Sequence, residues 1–472
     1  MLSSPDALNA ADDGLPMPRR LLAIAALSFG TSLVIIDGSI ATVALPTIAR
    51  DLHVERSAVV SIVTIYQLVF VMLLLPMAGL GERLGLKRLY QSGQLVFAVA
   101  TLLCFFAKSL PLLLVVRAVQ ALGAAAALSV SSALIRSVYP ARQLGRGLGI
   151  NTIFVTSSAA LAPSLGGLIL SIAPWPWVFM SAVPFAILSL FLGRALPAPE
   201  PRIEPFDLIG AVLCAAMFGL IIGGIEAGVH GTSLPAAAAS VIVGIVVGLF
   251  FVRRERGEPK PILPVDLLAT PILALSATGA FTAFIASMTL LLSTPFRLQL
   301  VYGFTPAQVG IAIAAWPLTN MIVAPTAGWL SDRIAAGLLG GIGMAVSIVG
   351  LMLMAFLPEH AGVADVTWRM ALCGSGFGIF LSPNARLVIG SAPRHRAAAA
   401  GGLVSTVRLV GQTAGATLVA TLLALGVGTG RVPAFVAAGF ALIAGLCSVA
   451  RLRPSVSGAS GFEAMIEPVQ PS

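Results

Sequence analysis

Residues 21–49 read LLAIAALSFGTSLVIIDGSIATVALPTIA, an apolar run with a single charge, Asp37, near its middle. A helix of about 20 apolar residues is enough to cross a bilayer. The run is also too long for the roughly 7–15-residue core of a secretory signal, although Arg19 and Arg20 precede it. A carboxylate at mid-span costs roughly 2.5–3.5 kcal/mol on insertion scales. A partner, a water-filled cavity or protonation must offset that cost. Desolvation also favours the protonated acid, which is what a proton-binding site needs. Asp37 is therefore the first candidate functional residue.

The rest of the chain has the same character. Of 472 residues, 58% are hydrophobic and 10% charged, and the mean hydropathy is +0.99. Soluble domains carry about 25% charged residues, so lipid must be the main solvent here. Apolar runs predict fourteen spans: 21–49, 57–81, 89–107, 110–138, 145–172, 176–196, 207–226, 235–252, 268–293, 305–330, 337–357, 366–391, 398–425 and 431–451. Lipid offers backbone groups no partner, and runs this long do not alternate as barrel strands do, so the spans are expected to be helices. The expected fold is an all-α membrane protein of about 14 transmembrane helices.

Placing the N-terminus in the cytoplasm puts Arg and Lys in inside loops over outside loops by about three to one. The inside set includes Arg142, Arg202, Lys260, Arg394 and Arg396; Arg297 counts among the outside set. Both termini are thus expected in the cytoplasm. The net charge of +9 comes from this loop pattern and not from a basic face with interleaved aromatics, so no nucleic-acid partner is expected. Cys104, Cys214, Cys373 and Cys447 lie singly in apolar runs, and His53, His230, His360 and His395 are scattered over loops. No metal site, cofactor or catalytic constellation is expected, and no phosphate-cradling loop for ATP-driven pumping occurs.

A repeat is visible. Ala78-Gly79-Leu80-Gly81-Glu82-Arg83-Leu84-Gly85 follows the second span, and Ala327-Gly328-Trp329-Leu330-Ser331-Asp332-Arg333 follows the tenth. The copies are eight spans apart. Two six-helix halves, 21–196 and 268–451, with two inserted helices at 207–252, account for that spacing; 1–20 and 452–472 are tails. Paired halves with a site between them are a transporter architecture.

Other intramembrane charges follow Asp37. Depth counting puts Arg117, in span four, near the level of Asp37, so the two are expected to face one cavity and influence each other's charge state; a static salt bridge is the alternative. Arg386 and Arg408, in spans twelve and thirteen, are candidates for the cavity wall or a cytoplasmic gate. Snorkelling to the interface is an equal reading for Arg386. Glu226 reads as a helix-end residue in water. Pro163, Gly166 and Gly167 interrupt span five and allow it to bend and slide against a neighbour.

Together these residues resemble the major facilitator superfamily, and within it the fourteen-helix drug–proton antiporters of multidrug or quaternary-compound exporter type. Asp37 with Ala41-Thr42-Val43-Ala44-Leu45-Pro46 is similar to that family's first-helix signature. Ala78 to Arg88 resembles the superfamily's loop motif, with Glu82 in place of its Asp; the resemblance implies gating by Glu82, Arg83, Lys87, Arg88, Asp332 and Arg333. Arg117, Gln120 and Gly123 match the fourth-helix motif, which implies a part for Arg117 in proton coupling. Pro163, Gly166 and Gly167 match the fifth-helix antiporter motif, with Ala162 where the family has Gly, and imply a role in conformational change. Ser382-Pro383-Asn384-Ala385-Arg386 and Arg408-Leu409-Val410-Gly411-Gln412 resemble the family's late region, adding Gln120, Arg386, Arg408 and Gln412 as cavity candidates.

The resemblance implies a non-enzymatic secondary transporter of the inner membrane that exports small, lipophilic compounds in exchange for protons by alternating access. A proton-coupled importer or uniporter of a small metabolite is the alternative the same fold allows. The expected partners are a small-molecule substrate, protons and the bilayer. The chain is expected to act as a monomer, with a periplasmic adaptor protein left open. Few buried acids argue against dications, and the arginines would permit anionic or zwitterionic ligands.

Overall fold

A computed structural model describes residues 14–140, 143–197, 206–229, 231, 233–256, 263, 265–391 and 397–453. Arg142, Arg202, Lys260, Arg394, Arg396, His230, His395 and most of both expected tails lie outside the described residues.

The described residues form fourteen long helices: α1 (Met17–Asp51), α2 (Arg56–Leu84), α3 (Leu86–Phe105), α4 (Leu110–Val138), α5 (Leu144–Ile172), α6 (Pro176–Ala195), α7 (Leu208–Val229), α8 (Leu234–Glu255), α9 (Pro271–Leu300), α10 (Pro306–Leu330), α11 (Ala336–Ala355), α12 (Val363–Ser391), α13 (Ala397–Ala424) and α14 (Val432–Ala450). Thirteen are long and apolar enough to cross a membrane. The exception is α3, whose first turns carry Lys87, Arg88, Gln91 and Gln94. It still packs as a full member of the bundle, against α4 and α6. Internal prolines such as Pro46, Pro76 and Pro163 are accommodated within their helices because neighbouring helices and side chains can satisfy the freed carbonyls.

The eight-helix repeat is written into the packing. α1 packs on α5 and α6 as α9 packs on α13 and α14. α4 packs on α2 and α3 as α12 packs on α10 and α11. The contacts between the two six-helix halves obey the same rule, since α5–α10 maps onto α13–α2. The extra pair, α7 and α8, sits outside these halves. Ser240 Oγ of α8 donates to the Leu220 carbonyl of α7 at 2.9 Å, and α7 leans on α2 and α13.

Three local readings change. Helix α9 runs through Pro295 to Leu300 instead of stopping near residue 293. Arg297, counted as an outside-loop cation, is buried within it. Its guanidinium donates to the carbonyls of Met354 (2.7 Å) and Ala355 (3.3 Å) at the end of α11, where a cation suits the helix dipole. The loop after the second span shrinks to one residue, Gly85, whose φ of +98° is a conformation that favours glycine. Glu226 is half-buried and accepts a hydrogen bond from Ser61 Oγ at 2.9 Å, tying α7 to α2.

The two halves close on one another at the face remote from the termini. Gln299 Nε2 donates to the Val43 carbonyl at 3.2 Å, and Ser164 Oγ to the Gly310 carbonyl at 3.5 Å. Here α5 and α10 approach so closely that a methyl group on Gly167 would collide with the backbone of Pro306, and one on Gly310 with the carbonyl of Pro163.

Asp207 precedes α7 and clamps the inserted pair. It accepts the Gly210 N–H at 2.9 Å and both guanidinium nitrogens of Arg254 at 2.6 and 2.9 Å. Burial alone would raise its pKa, but the bonds from Arg254 and Gly210 outweigh it and hold the carboxyl below the usual carboxylate range. A depressed carboxyl pKa stabilises the fold above the unfolded value of about 3.9 and loses that contribution as pH falls through the folded value.

Two outcomes are expected. Asp207→Asn lowers the thermal midpoint of purified protein by roughly 2 °C at pH 7, and the difference from wild type vanishes below the carboxylate range; a pH-independent difference contradicts this account. Gly167→Ala or Gly310→Ala destabilises the closed face by about 1–3 kcal/mol. Spin labels at the ends of α5 and α10 then show a longer-distance population, and an unchanged distribution contradicts the close approach.

Candidate functional site: a buried ion pair behind a central cavity

Arg117 and Gln120 stand three residues apart on α4 and therefore project from one face. That face meets α1 at Asp37. Arg117 Nη1 donates to Asp37 Oδ2 at 2.6 Å and to Gln120 Oε1 at 2.6 Å. Gln120 Nε2 donates to Asp37 Oδ1 at 3.0 Å and to Thr101 Oγ1 of α3 at 2.8 Å. Arg117 Nε reaches the Ile62 carbonyl of α2 at 3.4 Å. The guanidinium also lies 4.3 Å from the ring centre of Tyr66 on α2 and 5.3 Å from that of Phe179 on α6. Asp37, Arg117 and Gln120 are each 0% exposed. Both carboxylate oxygens are satisfied, which a buried charge requires. Five helices contribute to this one cluster.

A cavity of about 370 Å³ lies between the halves, lined from α1, α2, α4, α5, α9, α10, α12 and α13. Its size suits a small organic ligand. Arg117 reaches the wall, together with Tyr66. Asp37 does not; it sits one layer behind them, while its neighbours Gly38 and Ser39 face the cavity. A proton moving between Asp37 and the cavity must therefore pass a rearranged Arg117 or Tyr66.

The other sequence candidates divide cleanly. Arg408, Gln412 and Pro163 line the cavity. Gln120 is off the wall, because it is turned inward to hold Asp37 and Thr101. Arg386 is also off it. Its side chain is 55% exposed and pairs with Asp332, also donating to Ser331 Oγ at 3.0 Å, so it joins the termini-face ends of α12 and α10. Arg333 stacks on Trp329 with 3.9 Å to the ring centre. In the first half the equivalent charges are arranged differently. Lys87 Nζ donates to the carbonyls of Arg194 and Leu196 at the end of α6, both at 2.9 Å. Glu82, Arg83 and Arg88 are exposed, and among the described residues they make no ion pair. Gly166 lies against Ile40 of α1 and Gly167 against α10.

Sequence reading missed Tyr66, Thr101 and Phe179. Each is a single residue in an apolar run, and only the fold shows that it faces the ion pair. It also missed Gln67 and Asn320, intramembrane amides whose polarity was the available signal. Both line the cavity, and each has a buried side-chain oxygen with no hydrogen-bond partner.

The family model of the Major Facilitator Superfamily matches residues 27–211 and again 208–416. The chain is 44% identical over 417 residues to the uncharacterized transporter YebQ of Escherichia coli K12, covering 87% of this chain and 91% of that protein. It is 30% identical over 412 residues to the multidrug resistance protein Stp of Mycobacterium tuberculosis, covering 86% and 76% respectively. The fold matches that of a bacterial homolog of the human lysosomal transporter Spinster, solved in an inward-facing and occupied conformation, with a TM-score of 0.64 at 17% identity over 93% of this chain and 98% of that one. The double family match, the relatives and the paired helical halves agree: this chain is a multi-pass membrane transporter of the major facilitator superfamily.

Proposed function

We propose that the chain exports small, largely lipophilic compounds from the cytoplasm by proton antiport, working in the inner membrane with both termini cytoplasmic. The moving halves in this reading are residues 21–196 and 268–451, with 207–252 as a fixed accessory pair and 1–20 and 452–472 as tails. The observation that carries it is the fully buried Asp37–Arg117 pair, whose Arg117 reaches the wall of the central cavity while Asp37 lies one layer behind it. Similarity to a multidrug resistance protein supports the substrate class.

In the cycle we envisage, the termini-face-open state holds Asp37 as a carboxylate on Arg117 while substrate enters. Alternation brings the other face open, Asp37 takes a proton, and the ion pair breaks. Arg117 is then released from Asp37, and the loosened contact between α1 and α4 lets the cavity wall rearrange so that substrate leaves. Pro163, Gly166 and Gly167 serve as the sliding surface of this change. Glu82, Arg83, Lys87, Arg88, Asp332 and Arg333 latch the termini face, with Arg386 already engaged on Asp332. One proton returning down 100 mV and one pH unit yields about 2.3 plus 1.4 kcal/mol. That sustains a gradient of a few hundredfold for a neutral substrate.

Everted vesicles with a panel of fluorescent lipophilic dyes test the reading. Wild type is expected to accumulate dye under an imposed proton gradient, and adding dye should discharge that gradient. Asp37→Asn is expected to lose gradient-driven accumulation by tenfold or more. Export by Asp37→Asn at the wild-type rate with intact pH dependence overturns the role of Asp37. Accumulation in right-side-out vesicles instead makes the chain an importer.

A further inference from the structure

The charge on the cavity wall is unbalanced. Among the described residues, Arg117 and Arg408 are the charged side chains that line it. Arg117 is neutralised by Asp37. Arg408, on α13, has no acid on that wall to pair with and makes no hydrogen bond or ion pair to any described residue. A guanidinium carries five donors and stays charged, so an unmatched one facing a half-desolvated cavity attracts an anion. Opposite charges interact more strongly there than in bulk water.

The rest of the wall narrows the choice. Gln67 and Asn320 add neutral amides to the wall, which can hydrogen-bond a polar occupant without adding negative charge. On the second half, Phe377 stands between Phe284 and Trp316, with ring centres 5.4 and 5.5 Å away, and all three rings line the cavity. Such a cluster provides an apolar surface with edge and face sites for another ring. A cation, by contrast, meets no carboxylate on the described wall and one unpaired positive charge.

We infer that the cavity selects aromatic organic anions, a carboxylate or sulfonate on Arg408 and a ring against Trp316, Phe284 and Phe377, over the quaternary cations that the family resemblance suggests. The inference rests on reading this cavity as the substrate site. It also fits the proposed energetics. Exchanging an entering proton for a departing anion moves two charges with the membrane potential, so the potential drives both.

The test is equilibrium binding to the full-length purified protein by titration calorimetry, with a naphthoate and its naphthyl-trimethylammonium counterpart as probes. Wild type is expected to bind the carboxylate at least about tenfold more tightly than the ammonium, the size of a charge-assisted hydrogen bond. Arg408→Gln should erase that preference, weakening the carboxylate and not the ammonium, while Arg408→Lys keeps most of it. Equal binding, preference for the ammonium, or no detectable carboxylate binding by wild type overturns the inference, as does an Arg408→Gln variant that retains the preference. No gradient is present in this measurement. Loss of proton antiport therefore leaves its outcome intact, and a cation-selective cavity leaves antiport intact.

Discussion

One carboxylate and one guanidinium, both withdrawn completely from water, set the terms for this structure. Neither charge can be tolerated there alone, because removing one partner of a buried pair leaves the other uncompensated at about 3–5 kcal/mol. Asp37 and Arg117 therefore fix α1 against α4 in a single register. Gln120, Thr101, the Ile62 carbonyl and the rings of Tyr66 and Phe179 then bring α2, α3 and α6 to the same point. The centre of the first half is thus a polar knot inside an apolar bundle. In the proposed mechanism that knot is also the switch, since one proton on Asp37 removes the reason for Arg117 to stay.

The second half is not a copy of this arrangement. One of its buried cations, Arg451, is held near the termini face, with Nη1 donating to Asn384 Oδ1 at 2.7 Å and to Ser276 Oγ at 3.0 Å. Among the described residues no carboxylate joins that cluster. Its repeat of the loop motif is engaged, Asp332 on Arg386, while Glu82 in the first half makes no ion pair among the described residues. Two halves with the same packing scheme thus carry different electrostatics. The first half holds the titratable group, and the second presents the lone cation and the aromatic wall. Division of labour of this kind suits a machine in which proton and ligand sites must communicate without coinciding.

Much of the fold was legible in the sequence because lipid leaves so few options. Fourteen apolar runs had to be helices, and the eight-span spacing between Glu82-Arg83 and Asp332-Arg333 reappears as the spacing of the packing repeat. Depth put Asp37 and Arg117 at one level, but the expected shared cavity is reached by Arg117 alone, with Asp37 behind it in an ion pair. What could not be read was direction around each helix. Gln120, a cavity candidate, faces Asp37 instead, and of the readings open to Arg386 the exposed pairing with Asp332 at the helix end replaces the cavity wall. Arg297 looked like a loop cation because a proline precedes it by two residues, and its carbonyl partners on α11 are far off in sequence. Tyr66 gave no local sign at all.

Proton coupling of the proposed kind requires Asp37 to change its protonation state as the two faces alternate. Infrared difference spectroscopy measures this most directly, comparing the reconstituted protein locked by crosslinks with the termini face open and with the opposite face open. The expected result is a protonated-carboxyl stretch that gains intensity in the second state, shifts in heavy water and is missing in Asp37→Asn. Identical carboxyl bands in both states would contradict the coupling scheme, as would a band that persists in Asp37→Asn.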